Sequence, residues 1–455
     1  MNHPRFVLPE IGEPVPVAFP AIGRETLANG LSVWSIAHTS VPVASAYLVI
    51  RHGAAADPPG RPGLMGVTAD LLDEAAGPYD AIQLADAFAR LGSQLSIEVG
   101  SDVSVLGFTT LARFLTPALT LLADVVGRPR LAGADLTRVR ELRMNRLRQL
   151  SSVASAAADR VFHSAIFGAH PYGHGVLGTT RALTEITLDE VRDCCARLIR
   201  PNHSTLIVSG DVEHGPVVNA ARGALSEWMP INGAEAQGTI PGPPTFVEDQ
   251  PTLLVHRPRA PQAELRIGHR GPPRRVEAYH QLVTINAALG GQFTSRLNAT
   301  LREKKGLTYG VHSAFDFRRL AGSFACETSV EAVGVAEALS DVLREFEAVR
   351  GKAALADDEL ARAKAALTRG YVRHFETAEH LVRAAVQLVT YGLDDQTFDR
   401  FVPEVERVSV NDALAAARTF IHPDQATVAV VGDADECRGP IEALGRRVSV
   451  ITPEF

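Results

Sequence analysis

Hydrophobic and polar positions follow two different periods along this chain, and together they predict both strands and helices. Residues 31–36 alternate between apolar and polar side chains, which is typical of a half-buried strand. Residues 43–51 are mostly apolar, as in a strand buried on both faces. Other strands are predicted at 94–99, 103–109, 252–256, 263–269, 308–316 and 321–329, and helices at 62–74, 81–91, 114–126, 135–150, 156–167, 276–289, 294–305, 331–349, 357–374, 378–391 and 410–420. Because strands come in pairs and helices in runs, the pattern favours an α+β fold with mainly antiparallel sheets packed with helices.

The chain also repeats itself. Residues 199–211 align without a gap with residues 421–433, at an offset of 421 − 199 = 222 residues, and the two segments share Ile, Pro, Thr, Val, Gly and Asp. The same offset pairs Thr187 with Ser409, and both are predicted to cap the start of a helix. A repeat this long predicts two duplicated, homologous domains.

A weakly hydrophobic run with several glycines and prolines, 231–244, separates the two copies. Such a composition is typical of a linker. We therefore predict an N-terminal domain at 1–230, a linker at 231–245 and a C-terminal domain at 246–455.

Composition excludes some partners. The net charge of −7 gives no support for nucleic-acid binding, and no window is apolar over the ~20 residues that a membrane span needs. The arginines of 138–148 are therefore predicted to form a solvated or salt-bridged helix face. The start of the chain lacks the apolar core of a signal peptide, and the four cysteines form no CxxC pair. We expect a reducing, cytoplasmic setting, or a periplasmic one if a leader was removed before residue 1.

Segment 295–310 is the most informative part of the sequence. A helix-favouring run ends at Gly306, a natural residue to follow a helix, and a strand is predicted to start directly after it. This order places Arg302 near the helix end and Tyr309 at the strand entry. A guanidinium and a phenol at one point can donate hydrogen bonds to a peptide carbonyl or an oxyanion. Spacing alone is equally consistent with a plain helix stop beside a half-buried tyrosine.

The run Arg296-Leu-Asn followed by Leu-Arg-Glu-Lys-Lys-Gly-Leu-Thr-Tyr-Gly-Val311 resembles the C-terminal-domain signature of the pitrilysin-type (M16) zinc peptidases. That family includes insulinase and the mitochondrial processing peptidase. His170-Pro-Tyr-Gly173 and the endings of the two repeats also resemble it, so the likeness extends across nearly the whole chain. It implies two related α+β domains, and a second such chain or fused half that closes a chamber.

Active members of the family carry H-x-x-E-H on a helix of the first domain, where two histidines bind Zn²⁺ and the glutamate acts as base. In this chain Gly66 and Asp70 stand at the histidine positions and Ala69 at the glutamate position. The resemblance places a further metal ligand on the later helix 135–150, whose only glutamate is Glu141. We therefore predict that this chain binds no metal and has no cofactor of its own.

Other candidate sites are weaker. The carboxylates of Asp70, Asp73 and Glu74 are predicted to form an exposed acidic helix face, because a hard cation needs more converging oxygens. His163, His170 and His174 are close in sequence, but Pro171 and Gly173 interrupt the helix that would align them. Segment 289–291, Leu-Gly-Gly, is not a phosphate loop because no GK[ST] follows it.

The resemblance implies that Arg302 and Tyr309 face the chamber, bind the peptide substrate and stabilise the intermediate formed at the zinc site of the facing domain. Our leading hypothesis is a non-zinc subunit, inactive alone, of a heterodimeric metallopeptidase whose H-x-x-E-H partner supplies Zn²⁺. The alternative is a catalytically inactive structural or binding protein, similar to the core subunits of respiratory complexes. An independent zinc peptidase with unusual ligands ranks last.

Overall fold

Two six-stranded sheets, one from each half of the chain, organise the fold. The structure, a computed structural model, describes residues 16, 18–231, 242, 251–351 and 354–455. Apart from residues 231 and 242, the predicted linker 231–245 lies outside the described residues. The domain boundaries therefore stay a prediction, whereas the α+β class with mainly antiparallel sheets is confirmed.

The first half contributes eight strands and eight helices to the described part. The strands are β1 (Ile22–Thr26), β2 (Ser32–Ala37), β3 (Val43–Ile50), β4 (Ala75–Ala76), β5 (Tyr79–Asp80), β6 (Ser96–Val99), β7 (Ser104–Leu111) and β8 (Ser204–Gly210). The helices are α1 (Leu64–Asp70), α2 (Ala81–Arg90), α3 (Leu115–Gly127), α4 (Gly133–Ser152), α5 (Ala154–Phe167), α6 (Thr180–Glu185), α7 (Leu188–Leu198) and α8 (His214–Leu225).

The second half follows a similar order. Its strands are β9 (Thr252–His256), β10 (Gln262–Gly271), β11 (Val311–Asp316), β12 (Gly322–Glu331), β13 (Thr427–Gly432) and β14 (Val448–Ile451). Its α-helices are α9 (Tyr279–Asn286), α10 (Val335–Arg350), α11 (Asp357–Thr368), α12 (Ala378–Tyr391), α13 (Thr397–Arg407), α14 (Val410–Phe420) and α15 (Ala434–Ala443). Two π-helical segments, Ala287–Gly291 and Asn298–Lys304, lie between α9 and β11.

Most predicted elements are present, and the two predicted helix caps are confirmed. The Thr187 and Ser409 hydroxyls accept hydrogen bonds from the third residue of α7 and α14. The predicted helix 357–374 ends at Thr368, because Gly370 interrupts it before a short 3₁₀ turn, Tyr371–Phe375. The sequence patterns missed the strands β1, β4, β5 and β14 and the helices α6, α8, α13 and α15.

The two sheets have equivalent strand orders. The first runs β1-β2-β8-β3-β7-β6, and the second, read from its other edge, runs β14-β9-β13-β10-β12-β11. Antiparallel pairs dominate, but β2–β8, β9–β13 and β9–β14 are parallel. The outer strand next to β2 comes from the start of the chain, whereas the equivalent strand next to β9 comes from its end.

The two halves exchange a helix. Helix α5 of the first half packs on β10 and β13 of the second sheet, and α12 of the second half packs on β3 and β8 of the first. Shifting α5 by the repeat offset of 222 residues gives 376–389, which overlaps α12 (Ala378–Tyr391), so the two helices are repeat equivalents. Each half therefore completes the core of the other.

Both exchanged helices bury apolar faces and carry one polar anchor. Phe162 of α5 packs in one cluster with second-sheet residues, and Leu381 of α12 packs in another with first-sheet residues. Asp159 of α5 accepts a hydrogen bond from Arg266 of β10 at 2.5 Å. Tyr47 of β3 donates to Glu379 of α12 at 3.0 Å. Burial raises the pKa of Tyr47 to about 12, so this phenol keeps the proton that it donates.

The His170-Pro-Tyr-Gly173 motif lies at a further contact between the halves. The buried Tyr172 hydroxyl donates to Asp102, and the other carboxylate oxygen of Asp102 accepts from the Arg319 backbone N–H at 2.8 Å. Arg318 donates to the Tyr172 carbonyl at 3.1 Å. The motif therefore joins the two halves.

No helix in the described ranges is both long and apolar enough to cross a bilayer. The four cysteines are free and buried.

The helix exchange predicts that the two halves unfold together. Leu381→Ala removes a fully buried side chain between α12 and the first sheet and should lower the free energy of unfolding by ~2–5 kcal/mol. Both tryptophans, Trp34 and Trp228, belong to the first half. In urea titrations their fluorescence midpoint should therefore fall together with the circular-dichroism midpoint.

Val372→Ala, at a side chain that is 49% exposed, is the matched control and should shift neither midpoint appreciably. An unchanged tryptophan midpoint in Leu381→Ala, with a lowered circular-dichroism midpoint, would show that the halves unfold independently.

Candidate functional site

An arginine fills the space beside the three degenerate zinc positions. Gly66, Ala69 and Asp70 lie on α1, and α4 packs against this helix. From α4, the buried Arg143 donates its Nε–H to Asp70 Oδ2 at 2.7 Å and an Nη1–H to the Val176 carbonyl at 3.1 Å. Its guanidinium therefore supplies the local positive charge.

Gly66 makes this arrangement possible. A Cβ atom at Gly66 would lie 2.6 Å from Arg143 Nη2 and 2.7 Å from the Val176 carbonyl oxygen. The site thus has no room for an imidazole at this position. Gly66 and Ala69 offer no donor atom, and the one carboxylate, Asp70, is paired with Arg143, so these residues do not fit a catalytic zinc ion.

The later-helix candidate, Glu141, lies on the exposed face of α4. On the same helix Arg138 pairs with Glu74, next to the Arg143–Asp70 pair. Asp70, at the end of α1, and Glu74, just after it, therefore form ion pairs with two arginines of α4. For the arginines in these pairs, this arrangement matches the predicted salt-bridged helix face.

The three histidines have separate structural partners. His163 bonds through Nδ1 to the Asp159 carbonyl, and His170 Nδ1 accepts from the Tyr172 backbone N–H. His174 Nε2 lies 4.0 Å from Asp57 Oδ2. Burial lowers the pKa of all three imidazoles. Within the described ranges no group of three or more His, Cys, Asp or Glu residues is arranged to hold a metal ion.

Asp57 fixes the start of α1. Its carboxylate accepts hydrogen bonds from the backbone N–H groups of Gly63 and Met65, both at 2.7 Å. Burial raises the pKa of Asp57 to about 7, against the lowering effect of these bonds and of Arg143. The helix that carries the degenerate positions is therefore held by a buried carboxyl group.

The second candidate segment has the helix–glycine order that the sequence predicts. Residues 296–304 are helical, and Gly306 adopts a positive φ of 65°. The Gly306 N–H donates to the Arg302 carbonyl at 3.2 Å, which is the bond of the αL motif, and the Leu307 N–H donates to the Leu301 carbonyl at 2.9 Å.

The strand after this glycine begins later than predicted. It starts at Val311 and not at 307 or 308, because the Thr308 hydroxyl and the Gly310 backbone bond to each other. Thr328 of β12 donates to the Gly310 carbonyl at 3.0 Å and ties this loop to the sheet. The prediction that Tyr309 lies directly at a strand entry was therefore wrong by two residues.

Asn298 holds the helix against the strand. Its side-chain amide donates to the Val311 carbonyl at 2.8 Å, and its Oδ1 accepts from the Val311 N–H at 3.2 Å. Asn298 is buried, so these two bonds fix the helix that carries Arg302 relative to β11.

A groove of about 420 Å³ lies near Arg302 and Tyr309; its lining includes Phe293, which contacts Arg302, and Gly310, the neighbour of Tyr309, but neither Arg302 nor Tyr309 itself. The Arg302 guanidinium carbon lies 3.7 Å from the centre of the Phe293 ring, and Nη1 is buried with no hydrogen-bond partner in the described part of the chain. Tyr309, the neighbour of Gly310, is 93% exposed. Across the described residues no hydrogen bond or ring contact joins Arg302 and Tyr309, so the geometry offers two separate donors, each next to a residue that lines the groove.

Comparison with known proteins shows what the chain resembles. A family described as the peptidase M16 inactive domain matches residues 185–367, which include Arg302 and Tyr309. This part of the chain is therefore similar to the M16 peptidases. An uncharacterized zinc protease of Mycobacterium tuberculosis is 26% identical over 415 residues, which cover 89% of this chain and 92% of that protein.

Solved M16 structures share the fold. A peptidase M16 inactive domain from Pseudomonas fluorescens matches with a TM-score of 0.83 at 23% identity, covering 91% of this chain and 98% of that one. A chain from complex III2 of Candida albicans matches with a TM-score of 0.77 at 15% identity, covering 94% of this chain and 100% of that one.

Two residues that shape these sites, Arg143 and Asn298, were not predicted from the sequence. Arg143 was counted with the basic helix face, although its place in a helix facing the degenerate positions was a usable signal. Asn298 was passed over inside the signature. A buried asparagine in a helix interior needs side-chain partners, and the edge of the next strand supplies them.

Because Arg143 and the Val176 carbonyl lie so close to Gly66, replacing this helical glycine with alanine should destabilise the fold. Gly66→Ala should lower the free energy of unfolding by ~1–3 kcal/mol, because the new methyl group meets the Val176 carbonyl and Arg143. Gly223→Ala in α8, where a Cβ meets nothing within 4 Å, is the matched control and should raise it by roughly 0.5–1 kcal/mol. Urea titration measures both values. Equal stabilisation by the two substitutions would contradict this packing.

Proposed function

We propose that this chain is the non-zinc subunit of a heterodimeric M16 peptidase and that it supplies Arg302 and Tyr309 to the active site. The observation that carries the proposal is a contrast between two sites. The first has a guanidinium packed beside the degenerate zinc positions, whereas the second keeps Arg302, packed on the groove residue Phe293, and the exposed Tyr309, the neighbour of the groove residue Gly310.

The chemical role follows from the donor groups. Arg302 carries a guanidinium with several N–H donors, and the Tyr309 hydroxyl can donate a further hydrogen bond. Because Asn298 and Thr328 fix the backbone on either side, the donors would be positioned before substrate binds. They would orient the peptide carbonyl and stabilise the oxyanion that develops on it. Removing one such donor typically lowers kcat by ~10²–10³-fold.

The missing parts of the site would come from a partner. An M16 subunit with H-x-x-E-H would supply Zn²⁺, the base and the water, and the substrate peptide would bind between the two chains. This division explains why the Gly66 region could lose its ligands without loss of the Arg302 and Tyr309 side chains.

The alternative is a structural or binding protein of the M16 fold. The fold-level likeness to a chain of complex III2 favours it, and an exposed tyrosine is also a common interface residue. Activity of an assembled pair separates the two hypotheses, because a structural subunit would leave cleavage independent of Arg302 and Tyr309.

Purified alone, the chain should cleave no peptide, and co-expression with an H-x-x-E-H M16 chain from the same genome should give peptidase activity. In that pair, Arg302→Gln and Tyr309→Phe should each lower kcat/KM by roughly 10²-fold, because each removes one donor to the oxyanion.

Lys304→Gln, on the exposed side of the same helix, is the charge-matched control and should leave kcat/KM unchanged. Undiminished activity in both site variants would support the structural alternative. Cleavage by the isolated chain that chelators abolish would contradict both.

A further inference from the structure

A second cavity, in the C-terminal half, has the features of a small-molecule site. Its volume is about 520 Å³, within the range of roughly 300–1,000 Å³ that is usual for such sites. The loop after β10, the turn Tyr371–Phe375, α12 and α13 form its walls. It lies beside the groove of Arg302 and shares Gln292 with it.

Arg274 is the charged residue of the cavity that suggests what ligand it binds. The side chain lines the cavity although the residue is 9% exposed. In the described part of the chain no carboxylate lies within ion-pair distance of its guanidinium, which also makes no hydrogen bond there. The backbone is fixed, since the Arg274 N–H donates to the Arg318 carbonyl at 2.9 Å. Holding a charge at this largely buried position without an anionic partner has a desolvation cost, even though its nitrogen atoms keep some exposure, so an anion in the cavity is favoured.

A cation–π contact accounts for only part of that cost. The guanidinium carbon lies 3.5 Å from the centre of the Tyr279 ring. This contact orients the guanidinium plane but leaves its N–H donors without acceptors. A carboxylate, with two oxygens, matches this planar set of donors.

One part of the remaining lining is aromatic. Tyr371 stacks on Phe401 with ring centres 4.3 Å apart, and Phe375 meets Phe398 at 5.3 Å. No Asp or Glu is among the described residues that line the cavity. Arg383, at the rim, already pairs with Glu379 at 3.0 Å. Arg274 is therefore the arginine of the cavity that lacks a carboxylate.

We propose that this cavity binds a monocarboxylate with an aromatic body, whose carboxylate pairs with Arg274 while its ring packs against Tyr371 and Phe375. Two sources share this chemistry: a free small aromatic acid, and the C-terminal residue of a peptide. The proposal does not depend on peptidase activity, because the cavity lies within this chain.

Isothermal titration of the full-length chain tests the proposal with 3-phenylpropionate, with acetyl-glycyl-phenylalanine and with the amide of each. The two acids probe the free-acid and peptide sources. At least one acid should bind, and its amide should bind at least about tenfold more weakly because it lacks the charge that pairs with Arg274. Binding of the peptide acid alone assigns the peptide source, and binding of 3-phenylpropionate assigns the free acid.

Arg274→Gln should weaken binding of the acid at least about tenfold, whereas Arg275→Gln, at the exposed neighbour, should leave it unchanged. Because Arg274 is buried, circular dichroism must show that the variant folds. Gln387→Glu supplies a second test, since it adds a carboxylate to the rim without touching Arg274. It should weaken the acid severalfold and its amide much less.

Equal affinity for acid and amide, no binding of either acid at millimolar concentration, or full affinity in both Arg274→Gln and Gln387→Glu would overturn the proposal.

Discussion

The exchange of α5 and α12 between the two sheets is the constraint on which the rest of this molecule depends. Each sheet has one face that a helix from the other half covers, so each half relies on the other to bury its core. The anchors Arg266–Asp159 and Tyr47–Glu379 fix the position of each exchanged helix. As a result, the degenerate site on α1 and the Arg302 groove belong to one interlocked body, although more than 200 residues separate them.

At the degenerate zinc positions, the Arg143 guanidinium provides a positive charge, but the residues there cannot bind zinc. Arg143 donates to Asp70 and to a backbone carbonyl, so the buried guanidinium has acceptors for its N–H groups. Restoring the three motif residues would not by itself recreate a zinc site, because Arg143 and the Val176 carbonyl occupy the space beside Gly66. The packing of α1 against α4 therefore leaves no room for zinc ligands, and Arg302 and Tyr309 are the residues that we propose contribute to an active site.

Sequence reasoning found much of the fold because its signals are local. The helix cap at Thr187 and the glycine at 306 each depend on a few neighbouring residues, and the repeat at an offset of 222 residues can be read directly from the sequence. It failed where distant contacts decide the structure. Strand β14 is a short edge strand defined by pairing with β9, and the loop before β11 is shaped by Thr328 from the next strand. For the same reason only the structure reveals three features: the position of Arg143 beside Gly66, the hydrogen bonds from Asn298 to Val311, and the buried position of Arg274.

The central claim is that this chain works beside a zinc subunit and holds no zinc itself. The most direct measurement is affinity purification of the chain from its native host, identification of what co-purifies, and metal analysis of the complex and of its separated chains. We expect an M16 chain with an H-x-x-E-H motif to co-purify, and zinc to stay with that chain after separation. Stoichiometric zinc on the present chain, or purification without any such partner, would contradict the account.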